Sequence, residues 1–155
     1  MRSSIQRVMV LAAALSLAVA ASAGVIDARQ TVKARKEHLK ALGKSMKSLR
    51  DEAGSWHPNW ASIENDAAAV AKGAAALPTW FPAGSGRGDG VKTKALAAIW
   101  LKPADFQNAS RAFATQADNL VDAAKTQNVA LVRRQAKAVG RTCGGCHRRF
   151  RAHFD

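Results

Sequence analysis

The chain has 155 residues, of which 48% are hydrophobic, and its 24 Lys and Arg outnumber its 11 Asp and Glu to give a formal net charge of +13. This length leaves room for one ordinary domain. The basic excess raises nucleic acid or an anionic membrane as partners, but the charges are spread along several predicted helices and no nucleic-acid motif is present. We therefore expect no nucleic acid partner, and a solvated basic surface that attracts acidic proteins.

The start of the chain has the pattern of a secretory signal peptide. Arg2 and Arg7 precede an apolar run that ends in small residues at positions 21–23, as a cleavage site requires. The run is too short to span a bilayer, and no other stretch is long and apolar enough. We expect a removed signal peptide over residues 1–23, a mature domain over residues 24–155, a periplasmic location and no stable membrane insertion.

The first predicted helix runs from Asp27 to about Arg50, and Asp27 with Gln30 forms a capping box at its start. Its apolar residues follow a heptad-like spacing in two seams, which makes the helix amphipathic. The seam residues are Val25, Val32, Leu39 and Met46, and Ala28, Leu42 and Leu49. Arg35 occupies a seam position where an apolar residue is expected. Its side chain either snorkels out of the seam or pairs with a buried anion, and the pattern alone does not decide between them.

A break and then a long connection flank the second predicted helix. This helix begins at Trp60, after a break at residues 54–59, and Asn59 is placed to cap it. Residues 78–102 are rich in Pro and Gly, and a loop of this length in a compact domain is usually functional or a crossover. We expect its large hydrophobic residues to fold back onto the core, where some can line a pocket: Trp80, Phe81, Ile99 and Trp100.

Two further helices complete the predicted fold. The third covers residues 104–125, with Pro103 at or before its first turn, and the fourth runs from Asn128 to about Arg151. Four amphipathic helices without a strand pattern predict an all-α protein. We expect an antiparallel four-helix bundle with one long loop between helices two and three.

The fourth helix carries the sequence CxxCH, the pattern of covalent haem attachment. Two thiols can reach the vinyl groups at one edge of a porphyrin while the next residue turns its imidazole onto the iron. Residues three or four apart share a helix face, so Cys143, Cys146 and His147 can all face one planar ligand. Both cysteines lie at seam positions, so we expect one covalent haem c in the bundle core, with His147 on its iron. Arg151, one turn later, falls on the proximal side of the ring or complements the helix dipole.

Other uses of a CxxC pair fit this sequence less well than haem attachment. A thioredoxin-like CxxC belongs at the start of a helix after a strand, whereas this motif lies near the end of a helical stretch. A zinc site needs a second pair of ligands, and His38, His57 and His153 have no finger spacing. A structural disulfide or a redox dithiol stays open as the alternative.

Taken together, these residues resemble the class II c-type cytochromes, the cytochrome c′ family, over nearly the whole mature sequence. The matching segments are RKEHLK at 35–40, FPAGSG at 81–86, TKA at 93–95, IW at 99–100, and the CxxCH followed by FR at 150–151. The resemblance implies that His147 is the proximal iron ligand, that Arg35 meets a haem propionate and that Arg151 lies near the proximal histidine. It also implies that a homodimer can form through the first two helices.

The resemblance leaves two functions, which differ in the sixth iron ligand. In six-coordinate members a distal methionine lies four residues after the arginine, where this chain has Leu39, which has no donor atom. The rival ligands on the same helix are His38 and Met46. His38 points about 100° away from Leu39 around the helix, and Met46 lies about 10 Å further along it. We therefore expect a five-coordinate protein, not an enzyme, that binds NO and CO or exchanges electrons with acidic redox proteins. The alternative is a six-coordinate, low-spin electron carrier of the periplasm.

Overall fold

The computed structural model describes residues 27–87 and 91–152. The predicted signal peptide, the seam residue Val25 and His153 lie outside these ranges. Within them the chain forms five α-helices: α1 (Ala28–Gly54), α2 (Trp60–Ala76), α3 (Ala98–Leu101), α4 (Pro103–Lys125) and α5 (Val129–Phe150). None of the helices in the described part of the chain is long and apolar enough to cross a bilayer.

Side chains at the helix starts place three of the long helices where the sequence predicts them. Asp27, Asn59 and Asn128 accept hydrogen bonds from backbone N–H groups of the first turns of α1, α2 and α5, at 2.9 to 3.2 Å. Each cap supplies an acceptor for N–H groups that have no partner inside the helix. The fourth long helix, α4, begins at Pro103, whose missing N–H is not needed at the first helical position.

The four long helices pack as an antiparallel bundle. Helix α4 packs mainly against α5 and α2, and α1 packs mainly against α2. At one end Arg133 Nε donates to the carbonyl of Ala53 at 2.7 Å, which joins the start of α5 to the end of α1. At the other end Arg149 Nη2 lies 2.8 Å from Asp105 Oδ2, which joins the end of α5 to the start of α4. The predicted four-helix bundle is confirmed.

The bundle interior is filled by the apolar residues that recur every three or four positions. The fully buried large side chains are Leu49, Ile63, Val70, Leu120, Val132 and Val139. Each such side chain stabilises the fold by about 1.5–3 kcal/mol through removal of apolar surface from water. The seam of α1 is open at Leu39, which keeps 37% of its surface exposed between the buried Arg35 and Met46.

The long connection contains two short helical turns that the sequence analysis did not predict. It begins with a 3₁₀ turn over Leu77–Trp80 and ends with the single turn of α3. Burial explains both, because Leu77 and Ile99 pack into the core cluster. Trp100 joins the second turn to the start of the connection, because its Nε1–H donates to the carbonyl of Phe81 at 3.1 Å. The prediction that large hydrophobic residues of this connection return to the core is confirmed.

The middle of the connection is attached to the end of α5. Ala95 pairs with Arg151 as an isolated antiparallel bridge. The backbone N–H of Leu96 donates to the carbonyl of Phe150 at 2.9 Å. These contacts hold the connection over the end of the bundle that carries the CxxCH sequence.

Candidate functional site

A cavity of about 1140 Å³ lies between α1, the long connection, α4 and α5. This volume is above the roughly 300–1,000 Å³ of most small-molecule pockets and suits a large planar group. The walls are mainly apolar and aromatic. They include Leu39, Leu42, Met46, Leu77, Phe81, Val91, Ile99, Phe106, Phe113 and Phe150.

The CxxCH side chains lie together on the wall of this cavity. Cys143 and Cys146 are half-buried, His147 is exposed, and all three line the cavity from the last turns of α5. No disulfide joins the two cysteines in the described chain. Burial raises the pKa of both thiols above the ordinary value of 9.0, and the neighbouring Cys143 raises the pKa of Cys146 further. The position at the end of a helix also differs from that of a thioredoxin-like motif.

The residues around the cavity fit a haem. Two thiols and an imidazole line one apolar space, which is the donor set that covalent haem requires. Ser110 on α4 also lines the cavity; it is 3% exposed, and its hydroxyl has no hydrogen-bond partner among the described residues. An unpaired buried hydroxyl costs about 1–3 kcal/mol. This cost is consistent with a site built around a further bound group.

Arg35 is buried at the edge of the cavity and holds the long connection. It is 2% exposed. Its Nη1 donates to Ser85 Oγ at 3.0 Å, and its Nη2 donates to Thr93 Oγ1 at 2.9 Å and to the Ser85 carbonyl at 3.1 Å. The guanidinium also lies over the ring of Phe81, with Cζ 4.6 Å from the centroid. Snorkelling is therefore wrong as an explanation of this seam arginine.

The charge of Arg35 is not neutralised by a carboxylate of the described residues, since none lies at ion-pair distance. Burial lowers the pKa of Arg35, but arginine remains protonated in proteins. A buried cation without a counter-charge is costly, although its hydrogen bonds to the connection offset part of that cost. Pairing of Arg35 with a haem propionate stays a prediction.

Ser85 and Thr93 are partners of Arg35 that were not predicted from the sequence. Gly84 has a φ of 77°, a left-handed conformation that favours glycine, and this turn precedes the buried Ser85. Thr93 Oγ1 also accepts from the backbone N–H of Ala95 at 3.1 Å. The only signal in the sequence is that both residues belong to segments of the family resemblance.

Leu39 and the two candidates for a sixth iron ligand, His38 and Met46, lie in different places. Leu39 and Met46 both line the cavity, and Met46 is buried. His38 does not line the cavity, because its ring stacks on Trp80 with centroids 4.7 Å apart. His38 thus lies off the cavity wall, in agreement with the expectation that it points away, whereas Met46 lies on the wall although it is two turns along the helix from Leu39.

Arg151 follows the last residue of α5 and is exposed. Its backbone N–H donates to the carbonyl of His147 at 3.1 Å, and the residue also lines the cavity. The structure thus brings Arg151 and His147 to the same side of the cavity.

Replacement of Arg35 by Leu is expected to lower the free energy of unfolding by about 2–4 kcal/mol. The change removes the donor to Ser85 Oγ and to the Ser85 carbonyl, at about 1–3 kcal/mol each, whereas Thr93 Oγ1 keeps the N–H of Ala95. Loss of the buried charge returns part of this cost. The free energy of unfolding of Arg35→Lys should lie between those of the wild type and Arg35→Leu, because an ammonium group lacks the planar fork of a guanidinium. Urea unfolding followed by tryptophan fluorescence measures these differences.

The matched control for Arg35 is Lys33→Leu, an exposed position on the same helix. It should change the free energy of unfolding by no more than about 0.5 kcal/mol. Equal effects of the two leucine variants would contradict the role of Arg35 as the anchor of the connection.

Comparisons of the amino-acid sequence with known proteins all point to one family. A family model described as Cytochrome C' matches residues 30–151. A cytochrome c′ of Pararhodospirillum photometricum is 36% identical over 121 residues, which cover 77% of this chain and 94% of the relative. A cytochrome c′ of Rhodospirillum rubrum is 33% identical over 152 residues, which cover 95% of this chain and 99% of the relative.

Solved structures show the same fold. A cytochrome c′ with ligand-controlled dimer dissociation superposes with a TM-score of 0.76 at 22% identity, covering 84% of this chain and 100% of the other. A ferrous variant of cytochrome c prime from Alcaligenes xylosoxidans with bound NO superposes with a TM-score of 0.71 at 21% identity, covering 80% of this chain and 94% of the other. At these identities the likeness shows the fold alone.

Proposed function

Because the chain belongs to the cytochrome c′ family of c-type haem proteins, we propose that it is an exported haem c protein whose iron binds small neutral gases. The observation that carries gas binding is the position of Leu39, which lines the cavity and has no atom that can bind iron. The NO bound to the Alcaligenes xylosoxidans protein is a property of that protein, and it supports NO as a gas to test here.

The attachment roles follow from the residues on α5. We assign the two thioether bonds to Cys143 and Cys146 and the iron ligand to His147. A haem held by these residues would supply an iron that can bind a small neutral gas. The side chains of the chain determine what reaches the iron, and the bulk of Leu39 together with the apolar walls excludes large or charged ligands.

Arg35 is proposed to serve the haem as well as the connection. Its hydrogen bonds to described residues all come from Nη1 and Nη2, and its charge has no carboxylate partner among them. A haem propionate is the anion that the covalent group would bring to this cavity. A charge-assisted hydrogen bond to it would offset the cost of the buried cation.

A second candidate function is electron transfer by a six-coordinate, low-spin iron. It is favoured by Met46, a buried residue whose thioether side chain lines the same cavity. A thioether that held the sixth position would keep gases out and limit the protein to electron exchange. We place this candidate second because Leu39 stands at the position of the distal methionine of the six-coordinate class.

A non-enzymatic role and a periplasmic location are part of the proposal. The described residues that line the cavity include no Asp or Glu, so no carboxylate pair stands ready for acid and base chemistry. Export is supported by the signal-peptide pattern of residues 1–23, and a homodimer by the dimeric cytochrome c′ among the similar structures.

Spectroscopy of the purified protein tests gas binding directly. The resting ferric protein is expected to show a high-spin spectrum at neutral pH, and the reduced protein should bind CO with a shift of its main absorption band, because the sixth position is open. A low-spin spectrum in both oxidation states with no response to CO would support the six-coordinate carrier instead. The variant Met46→Leu then identifies the ligand, since it should restore CO binding.

A further inference from the structure

Among the described residues, the exposed charged side chains that line the cavity all have the same sign. Lysine side chains line it from two elements, Lys36 and Lys40 on α1 and Lys92 and Lys94 on the long connection. No Asp or Glu of residues 27–87 or 91–152 lines this cavity. Lys36 also joins the two elements, because its Nζ donates to the carbonyl of Lys92 at 3.1 Å.

The positive charge continues along one face of α1. Basic residues follow one another there at intervals of three or four positions: Arg29, Lys33, Lys36, Lys40 and Lys44. This spacing keeps them on one side of the helix, and we call this set the basic stripe. It is about 22 Å long at a rise of about 1.5 Å per residue. That length fits a standard protein interface, which buries roughly 800 Å² on each partner.

The stripe is largely uncompensated within the described chain. The next lysine on the same face, Lys47, forms an ion pair with Asp51 at 2.5 Å, so the excess charge ends toward the far end of α1. Glu37 lies beside the stripe, in a groove that Arg29 and Lys33 also line. The uncompensated charge therefore lies along residues 29–44 of α1, and Lys36 and Lys40 of this set line the cavity.

We propose that the basic stripe, with Lys92 and Lys94, is the docking surface for an acidic one-electron redox protein. The proposal rests on the covalent haem proposed above. It adds a redox partner and the surface on which that partner binds. One electron passes between the haem, which changes between its ferrous and ferric states, and the partner's own one-electron centre, which changes in the opposite sense. Complementary charge accelerates such encounters and orients the two proteins.

An anionic membrane fits this surface less well than an acidic protein. A helix that lies in a membrane interface presents an apolar face to the lipid. The apolar face of α1 is packed in the bundle through Val32, Met46 and Leu49. Trp56, the most exposed large hydrophobic residue of the described chain, lies beyond the far end of α1 and away from the stripe.

The test uses the full haem protein and charged one-electron oxidants. Stopped-flow oxidation of the reduced protein by ferricyanide, an anion, is compared with oxidation by tris(phenanthroline)cobalt(III), a cation. The variant Lys40→Glu/Lys92→Glu should slow the ferricyanide reaction about threefold to tenfold at low ionic strength and speed the cobalt reaction, since it reverses charge at the mouth. Both differences should disappear at high salt. Poly-L-glutamate should slow ferricyanide oxidation of the wild type but not of the variant.

The matched control reverses two exposed charges on α5 that do not line the cavity, Arg134→Glu/Lys137→Glu. It changes the net charge equally and should leave both rates near those of the wild type. Equal effects of the two double variants would show that only net charge matters and would overturn the proposal. The proposal would also be overturned if binding to phosphatidylglycerol vesicles depended on the stripe and poly-L-glutamate had no effect on ferricyanide oxidation. A colourless protein would refute the haem function, whereas a red protein with unchanged rates would refute the docking surface alone.

Discussion

Protein made in a host that matures c-type cytochromes is expected to stay red after acid acetone extraction and to carry the added mass of one haem. The double variant Cys143→Ser/Cys146→Ser is expected to lose all its colour in the same extraction, because serine cannot form the thioether bonds. Both side chains lie half-buried on the cavity wall, and serine has nearly the shape of cysteine, so the bundle should still form. The measurement is the absorption of the protein pellet together with its intact mass.

The variant His147→Ala provides the control for haem attachment. It should keep covalent haem, since both thiols remain, but lose the normal ligation of the iron. A wild-type protein that is colourless, with its two cysteines free or bonded to each other, would contradict haem attachment and support the disulfide or dithiol alternative.

The variant Leu39→Met is expected to convert a high-spin gas-binding protein into a low-spin one. Methionine has about the volume of leucine and a longer, unbranched side chain, so it places a thioether sulfur where Leu39 now lines the cavity. A sulfur on the sixth position must be displaced before CO can bind. The affinity for CO should therefore fall about tenfold for each 1.4 kcal/mol of iron–sulfur bonding. The spin state is measured by absorption spectroscopy and the affinity by CO titration.

The matched control for this prediction is Leu42→Met, which adds the same sulfur to another cavity residue of the same helix. It should leave the spectrum high-spin, because this position lies almost a full turn further along α1. A low-spin spectrum in both methionine variants would show that Leu39 has no special position over the iron. A wild type that is already low-spin and becomes high-spin in Met46→Leu would contradict the five-coordinate proposal.

Local patterns were sufficient to predict the fold and the centre of the site. Helix boundaries follow from caps such as Asn59 and Asn128 and from apolar residues repeated every three or four positions, all of which depend on near neighbours in the chain. The CxxCH sequence is equally local, and the seam positions of Cys143 and Cys146 predicted that they face the interior. These features needed no knowledge of which helix packs against which.

Tertiary structure alone decided how the rest of the site is assembled. The partners of Arg35 on Ser85 and Thr93 lie 50 and 58 residues away along the chain, and no periodicity links them. The position of Met46 on the cavity wall was also decided by packing, because it depends on how far the seam opens. The lysines of α1 and of the connection become neighbours only in the folded chain, where Lys36 bonds to Lys92. A helical pattern specifies which residues share a face, but the contacts between distant faces depend on the packing of all four long helices at once.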